Sequence, residues 1–595
     1  MKPNRAQTLL CALCVTVVGS IPAQPADAPL LPINGLQPGM QGEVWTVFQG
    51  RHPEPFGVRV TGVLHNALGP GKSLIICELT DERVQKMGAV AGMSGSPLYI
   101  EGKLAGVLSY QIQRFETVRY AGFTPIADMI EVSALPDAPA GLGGVLPLPP
   151  VPREGAKPRL AAAALPDWSP LTPVFTASGL SPDVAALLAP QLSPLGISFT
   201  ALGGSDATAA SADRTAPPPS LAPGDAVAVA LAVGDINLAG TGTVSHVDGK
   251  RILAFGHPML RLGATELPMT SAEVVTILPS QFNSIKISNT GGIIGTFSQD
   301  RLSAIYGEIG RAPPLVPVEV ELPQRAGRPA LRFSVVRHEQ ILPAIAATGL
   351  AQAVLGSNES GLGAKGFRVT TRVTFPGHAP IAMDRLYAGP NGFAQGLDEF
   401  NRELTQWLFN PFERTFPERI RFQVEETGRI PLATLESLQV SRATARPGET
   451  VGVSVGWRGF QQPGALEELR IPVDPAWTGK ELELVLAHGR ALDELTGRPR
   501  AIPLAQLRSF DDYVAALQDF RAGDGLYLAV VERTSLFLDQ LQGTAELPGS
   551  LVRIARGSDE ARYQRREAFT PLWEQHLLPG HLFNAILRRP LQVAE

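Results

Sequence analysis

The stretch GMSGSPLYIEGKLAG, Gly92 to Gly106, crowds two serines among small residues and then runs straight into a strand pattern. Leu98 and Ile100 alternate with Tyr99, Glu101-Gly102 reads as a tight turn, and Leu104 to Leu108 returns as a second arm. Gly92 and Gly95 flank Met93-Ser94 and open backbone conformations closed to other residues. Such a turn can present the Ser94 hydroxyl and aim the N–H groups of Gly92 and Ser94 to one side. A nucleophile and oxyanion donors are two of the three parts of an acyl-transfer site. The third, a base, has to come from elsewhere in the chain. The same residues also suit a Gly/Ser-rich β-turn with no chemistry.

Outward from this turn the pattern stays strand-like from Leu31 to about Ser133, with FGVRVTGVL alternating and SLIICEL a short buried run. Residues 135–222 are rich in Pro, Ala and Gly, without apolar periodicity except for a short segment near Leu171–Leu202. They read as linker with a small folded insert. Strands resume from Asp225 to about Val336, where GTVSHVDGKRILAFGH is a hairpin with Asp248-Gly249 at its turn. LPAIAATGLAQAVL predicts a helix. In LDEFNRELTQWLF, Leu397, Phe400, Leu404, Trp407 and Leu408 share a helical face. From Leu435 the strands joined by Pro-Gly turns resemble a sandwich, followed by a mixed region with a helix near Asp511–Phe520.

The expected fold is mainly β. It divides into a leader (1–28), a nucleophile half (29–134), the linker (135–222), a histidine half (223–340), a connecting region (341–434) and a C-terminal accessory region (435–595). The leader has Lys2 and Arg5 before the apolar run Thr8–Ile21, then an A-x-A pattern at Ala26 and Ala28, which predicts a secretory signal. With Cys11 and Cys14 removed alongside it, Cys77 stays alone and no internal disulfide can form. An exported chain without disulfides points to a bacterial periplasm or cell exterior. No further apolar run reaches membrane-spanning length, so no integral membrane segment is expected in the mature chain. A net charge of −5 and 6% aromatic residues give no basic field for nucleic acid. No His/Cys/Asp spacing fits a metal site, and no cofactor motif is present.

GMSGSP followed by a short hairpin resembles the nucleophile segment of trypsin-like peptidases. More closely, it resembles the SpoIVB sporulation peptidase family, which carries the same six residues and then a strand, Gly-Lys and a second strand. LTDERVQKMGAVAGMSGSP resembles that family's approach to the serine, where an Asp is the third triad member. Asp81 matches it across a gap of about two residues. GTGTVSHVDGKRILAFGHPM resembles the family's histidine segment, with His257 at the position of the general base.

The resemblance implies a rearranged pair of trypsin-like β-barrels, because the family places histidine before serine and this chain reverses the order. It also implies a secreted serine endopeptidase acting on envelope or exported proteins, with Ser94 as nucleophile, His257 as base, Asp81 as its orienter, and Gly92 and Ser94 as oxyanion donors. His65 is the alternative base, and His246 reads as solvated. Asp81 also reads as the cap of a short helix. Asp300 reads as a partner of Arg301 or a turn cap. A different class of protein remains open, a peptidase-like scaffold of the envelope that binds a partner through its C-terminal region.

Overall fold

The computed structural model describes residues 28–112, 118–136, 168–171, 174–205, 220–280, 284–322, 330–356, 366–498, 506–539, 542–545 and 564–594. The predicted signal segment and the Pro/Ala-rich cores of the linker lie outside these residues. The fold is mainly β, as the sequence pattern predicts.

The nucleophile half closes on itself. Strands β1 (Gln41–Val47), β2 (Pro53–Gly69), β3 (Lys72–Leu79), β4 (Pro97–Ile100), β5 (Lys103–Ile112) and β6 (Tyr120–Pro125) pair antiparallel in the order β4-β1-β2-β3-β6-β5. A β4–β5 hairpin then completes a six-stranded ring. Closure removes every sheet edge but part of one, because β4 is short and β5 runs on past it. Onto that remaining edge β7 (Trp168–Pro170) is added antiparallel. Alternation sends Val44, Val58, Ile75, Leu98, Leu108 and Phe123 into one apolar interior. The β4–β5 turn is the predicted one, with Glu101 at φ 51° and Gly102 at φ 74°, the left-handed pair that a tight hairpin requires. Between β3 and β4 lies α1 (Glu82–Met87), and α2 (Ile126–Ser133) follows β6.

After β8 (Phe175–Ser178), α3 (Pro182–Leu192), β9 (Phe199–Thr200) and β10 (Gly204–Ser205), a second ring repeats the plan. It comprises β11 (Ala226–Gly234), β12 (Asn237–Asp248), β13 (Arg251–Ala254), β14 (Gly263–Leu278), β15 (Ile285–Asp300) and β16 (Ile305–Ile309), paired β11-β14-β15-β16-β13-β12 and closed by β11–β12. Val229, Val244, Phe297 and Ile305 meet inside it. The hairpin ladder runs to Asp248↔Arg251, so Gly249-Lys250 rather than Asp248-Gly249 occupy the turn.

The second ring's sheet extends through β17 (Leu315–Glu321) and β18 (Leu331–Val336) to β19 (Gly366–Thr374), β20 (Ile381–Ala388) and β21 (Arg419–Thr427). Helices α4 (Ile341–Ala351) and α5 (Gly389–Leu408) pack there, and the apolar face of α5 foreseen from spacing is buried from Leu397 to Leu408. In the C-terminal region, β22 (Ala433–Val440), β24 (Thr450–Gly459) and β25 (Gly464–Pro472) form one sheet, with the short β23 (Thr444–Ala445) in a second. That second sheet holds β26 (Leu482–Ala487), β27 (Leu526–Asp539), β28 (Gln542–Ala545), β29 (Gln564–Leu577) and β30 (Ile586–Val593). Val453 and Ile471 from the first share a core with Leu484, Leu528 and Leu591 from the other, which is a sandwich arrangement. Helix α6 (Gly489–Thr496) covers it, and α7 (Phe510–Leu517) ties it to the main body. His378 joins Glu413 at 2.7 Å and Asp511 of α7 at 2.9 Å.

The two rings meet along a seam of backbone. Thr243 N–H of β12 donates to the Ser94 carbonyl at 2.8 Å, and the Ser245 hydroxyl to the Gly95 carbonyl at 2.8 Å. Ala91 exchanges backbone hydrogen bonds with Ser284 and Lys286 at the start of β15. Gly95, at φ 94°, leaves no room for a side chain: a Cβ there would stand 2.2 Å from the Thr243 carbonyl oxygen and 2.5 Å from Phe255 N. Gly95→Ala is therefore expected to lower stability by about 2–5 kcal/mol, the sum of backbone strain and overpacking. Gly102→Ala has the same sign of φ but open space around its Cβ, and should cost only about 1–2 kcal/mol. Urea unfolding midpoints of the two variants measure the difference.

Candidate active site

The serine turn is built by small residues locked at both ends. Asp81 caps α1, its carboxylate accepting from Arg83 N–H at 2.8 Å, and Gly88 ends the helix at φ 72°. After the Ala91 bridge to β15, Gly92 turns the chain at φ 100°. Met93 N–H bonds Val90, and both the N–H and the hydroxyl of Ser96 bond the Met93 carbonyl, at 3.0 and 2.6 Å. Gly95 N–H reaches the Leu108 carbonyl on β5 at 2.7 Å. Ser94 is thus held on a rigid turn, fully buried, with its Oγ lacking any hydrogen-bond partner. Among the described residues the N–H groups of Gly92 and Ser94 donate to no carbonyl. Unpaired N–H groups on a buried turn are rare, and two of them on one turn can hold an anionic oxygen.

His257 arrives from the other ring. Phe255 and Gly256 are both left-handed, at φ 69° and 70°, which for phenylalanine is a strained conformation held in place by its surroundings. Phe255 packs against Gly95, and Gly256 sits so close to β5 that a Cβ would meet Val107 Cγ2 at 2.5 Å. Thr124 Oγ1 donates to the Gly256 carbonyl at 2.7 Å and is itself bonded to Ser109 Oγ. The ring that follows is fully buried. Its Nδ1 lies 2.9 Å from the Pro258 carbonyl, which can only accept, so Nδ1 carries the proton and Nε2 presents a free lone pair. Nε2 has no partner. Burial pushes the imidazole down to about 4, while the nearby carbonyls of Pro258 and Leu171 favour its protonated form.

The structure therefore brings the Ser94 and His257 turns into contact through Gly95 and Phe255, with the hydroxyl and Nε2 each unpartnered and no hydrogen bond yet between them. It does not bring Asp81 to the imidazole. Both Asp81 oxygens are taken by Arg83, at 2.8–3.2 Å, and the guanidinium holds the carboxyl below its usual range. The hydrogen bond at Nδ1 is made instead by the main-chain carbonyl of Pro258. His65 lies exposed on β2.

Two further residues shape the site. Asp300, buried at the end of β15, accepts from the backbone N–H of Met259 (2.8 Å), Leu260 (2.7 Å) and Leu262 (3.1 Å), cradling the loop after His257, while Arg301 bonds Gln299 instead. Lys286 is 3% exposed. Its stem lies under Gly92, where a Cβ would meet Lys286 Cβ at 2.9 Å, and its amine donates to Thr46 Oγ1 at 2.8 Å. No described carboxylate pairs with it, and burial pushes the amine down to about 7. Along IKISNT the alternate residues Lys286, Ser288 and Thr290 are buried, so the polar side of β15 faces inward, which the sequence alternation by itself does not say. Among the described residues no group of His, Cys, Asp and Glu could hold a metal ion, and no helix is long and apolar enough to cross a membrane.

Two closed antiparallel rings, with a serine turn on one in contact with a histidine turn on the other, define a two-ring β protein. Residues 33–125 match the family model of the SpoIVB peptidase S55, which bears out the resemblance read from the sequence and supports a serine peptidase of that type. The match holds Asp81, Gly92 and Ser94 and ends before His257. No curated protein and no solved structure matches the chain.

Both depressed groups make stability pH-dependent with one sign. His257 and Lys286 bind a proton in the unfolded chain at a higher pH than in the folded one. Stability is therefore expected to rise with pH between about 4 and 6.5 from His257, and between about 7 and 10.5 from Lys286, by up to about 1.4 kcal/mol per pH unit. Lys286→Met should flatten the upper window alone, and urea titrations at stepped pH values read the slope.

Proposed function

We propose that this chain is an exported serine endopeptidase that cleaves proteins of the cell envelope or exterior. One observation carries the reading. An unpartnered serine hydroxyl and an unpartnered imidazole nitrogen, both buried, sit on facing turns of two rings. In the forward step Ser94 Oγ bonds to the scissile carbonyl carbon while its proton passes to His257 Nε2. The carbonyl oxygen becomes an anion and is held by the N–H groups of Gly92 and Ser94. His257 then returns the proton to the leaving amine as the C–N bond breaks. Water repeats the sequence on the acyl-enzyme, with His257 again taking and giving the proton. Pro258 keeps the imidazole in the tautomer this requires, and Asp300 holds the loop that carries Pro258 onward. Asp81 acts through structure, fixing α1 ahead of the serine turn.

Complete burial of Ser94 and His257 favours one other reading, a peptidase-like fold without catalysis. A fluorophosphonate probe separates the two. The expected outcome is labelling at Ser94 that is lost in Ser94→Ala and His257→Ala, and absence of labelling both in the wild-type protein and in Leu171→Ala would overturn the peptidase reading. Asp81→Asn should keep near-normal labelling and turnover, since Asn caps a helix nearly as well. A loss approaching the 10⁴-fold seen where an Asp orients the histidine of a serine protease would instead return Asp81 to the site.

A further inference from the structure

The β5 edge beside Ser94 is already occupied by the chain itself. From Lys103 to Val107 that edge pairs with β4, and at Leu108 it bonds the serine turn, receiving Gly95 N–H and donating to the Ser96 carbonyl. The next residue, Ser109, accepts Leu171 N–H at 2.9 Å. Beyond it Tyr110, Gln111 and Ile112 pair antiparallel with Pro170, Ser169 and Trp168, and Gln111 Nε2 donates to Ser169 Oγ at 3.3 Å. An extended segment thus runs along β5 and ends at Leu171, one ladder position from the serine turn. Its carbonyl lies by the His257 ring. The Leu171 side chain is 1% exposed and joins the apolar cluster that contains Val90, Met93 and Leu108. Added strands of this kind take their affinity from main-chain hydrogen bonds and their specificity from the pocket under an alternate side chain.

We infer that Ser109–Ile112 is the docking strand for the acyl side of a peptide, that the site accepts an aliphatic residue directly before the scissile bond, and that Trp168–Leu171 occupies this strand in the resting chain. The inference rests on the peptidase reading for the word scissile, though not for the docking itself. It accounts for two facts at once. Ser94 and His257 are sealed from solvent although each is unpartnered, and Leu171, the last residue of the segment paired on β5, is fully buried at this place. Leu171 fills the pocket with a branched hydrocarbon within an apolar cluster of the described residues, so a charged residue in that position would be desolvated.

The test uses the full chain and Leu171→Ala, which removes only the side chain beyond Cβ. The probe is fluorescein-labelled acetyl-Trp-Ser-Pro-Leu-amide, with the Leu→Asp peptide as control. Leu171→Ala is expected to bind the leucine peptide at least tenfold more tightly than the parent does, and to react with fluorophosphonate at least tenfold faster. The bound peptide should slow that reaction, and the aspartate peptide should do neither. A folded variant that reacts with fluorophosphonate but binds no leucine peptide overturns the docking strand and leaves the peptidase reading standing. A variant that binds the peptide but never reacts overturns the peptidase reading and leaves the docking strand. Should circular dichroism show Leu171→Ala unfolded, hydrogen exchange on the parent decides. Saturating leucine peptide should raise exchange in 168–171 and leave 109–112 protected, and unchanged exchange in 168–171 overturns the inference.

Discussion

The contact of Gly95 with the Thr243 carbonyl and the Phe255 backbone is the constraint from which the rest of the site follows. It is a contact between main chains, so no side chain can intervene and no side chain can substitute for it. Glycine at 95 and again at 256 lets each turn press into the opposite ring, and the seam hydrogen bonds from Thr243 and Ser245 set their relative position. The strained φ of Phe255 is tolerable because its ring is buried against Phe297 and its backbone is wedged at this seam. The same seam is reinforced by the Ala91 bonds to Ser284 and Lys286 and by Thr124 on the Gly256 carbonyl.

The seam also explains the chemistry of the buried polar groups. Closing two barrels on each other removes water from His257 and Lys286 alike, and neither is offered a carboxylate. Both respond as isolated bases do in a dry environment, by giving up the proton. For His257 this leaves the lone pair at Nε2 available, with the Pro258 carbonyl supplying orientation. For Lys286 it leaves a weakly basic amine bonded to Thr46, beneath the turn that carries the nucleophile. Asp300 is the counterpart on the acid side: burial pushes its carboxyl up, partly offset by the backbone N–H groups it accepts from. The site is thus oriented chiefly by main-chain groups, a rigid source of dipoles.

The rings have different obligations. The first is nearly edgeless, and the short β4 leaves one stretch of β5 uncovered beside Ser94. That uncovered stretch is the place where an extended chain can add. The second ring is extended on β11 into a broad sheet that carries α4 and α5 and, through His378, meets α7 of the C-terminal region. Accessory strands therefore gather on the sheet of the histidine ring.

Local pattern was sufficient for the elements. Alternation in FGVRVTGVL and AVAVALAVGDI, the turn at Glu101-Gly102, the apolar stripe from Leu397 to Leu408 and the sandwich strands after Leu435 all rest on neighbours a few residues apart, and they stand in the structure as read. The serine turn and the histidine at a hairpin end were legible for the same reason, since glycines at fixed offsets reveal unusual backbone. For Asp81 the sequence offered both a helix cap and a place beside the imidazole, and the position of Arg83 separates the two. Lys286, the Asp300 cradle and Leu171 were silent for a further reason. Each acts across a gap of tens to hundreds of residues, and its meaning is set by burial at a seam between two rings that no local period encodes. The sequence determined which segments become strands and which turns bend backward; the tertiary structure decided which turns face each other and which polar groups lose their water.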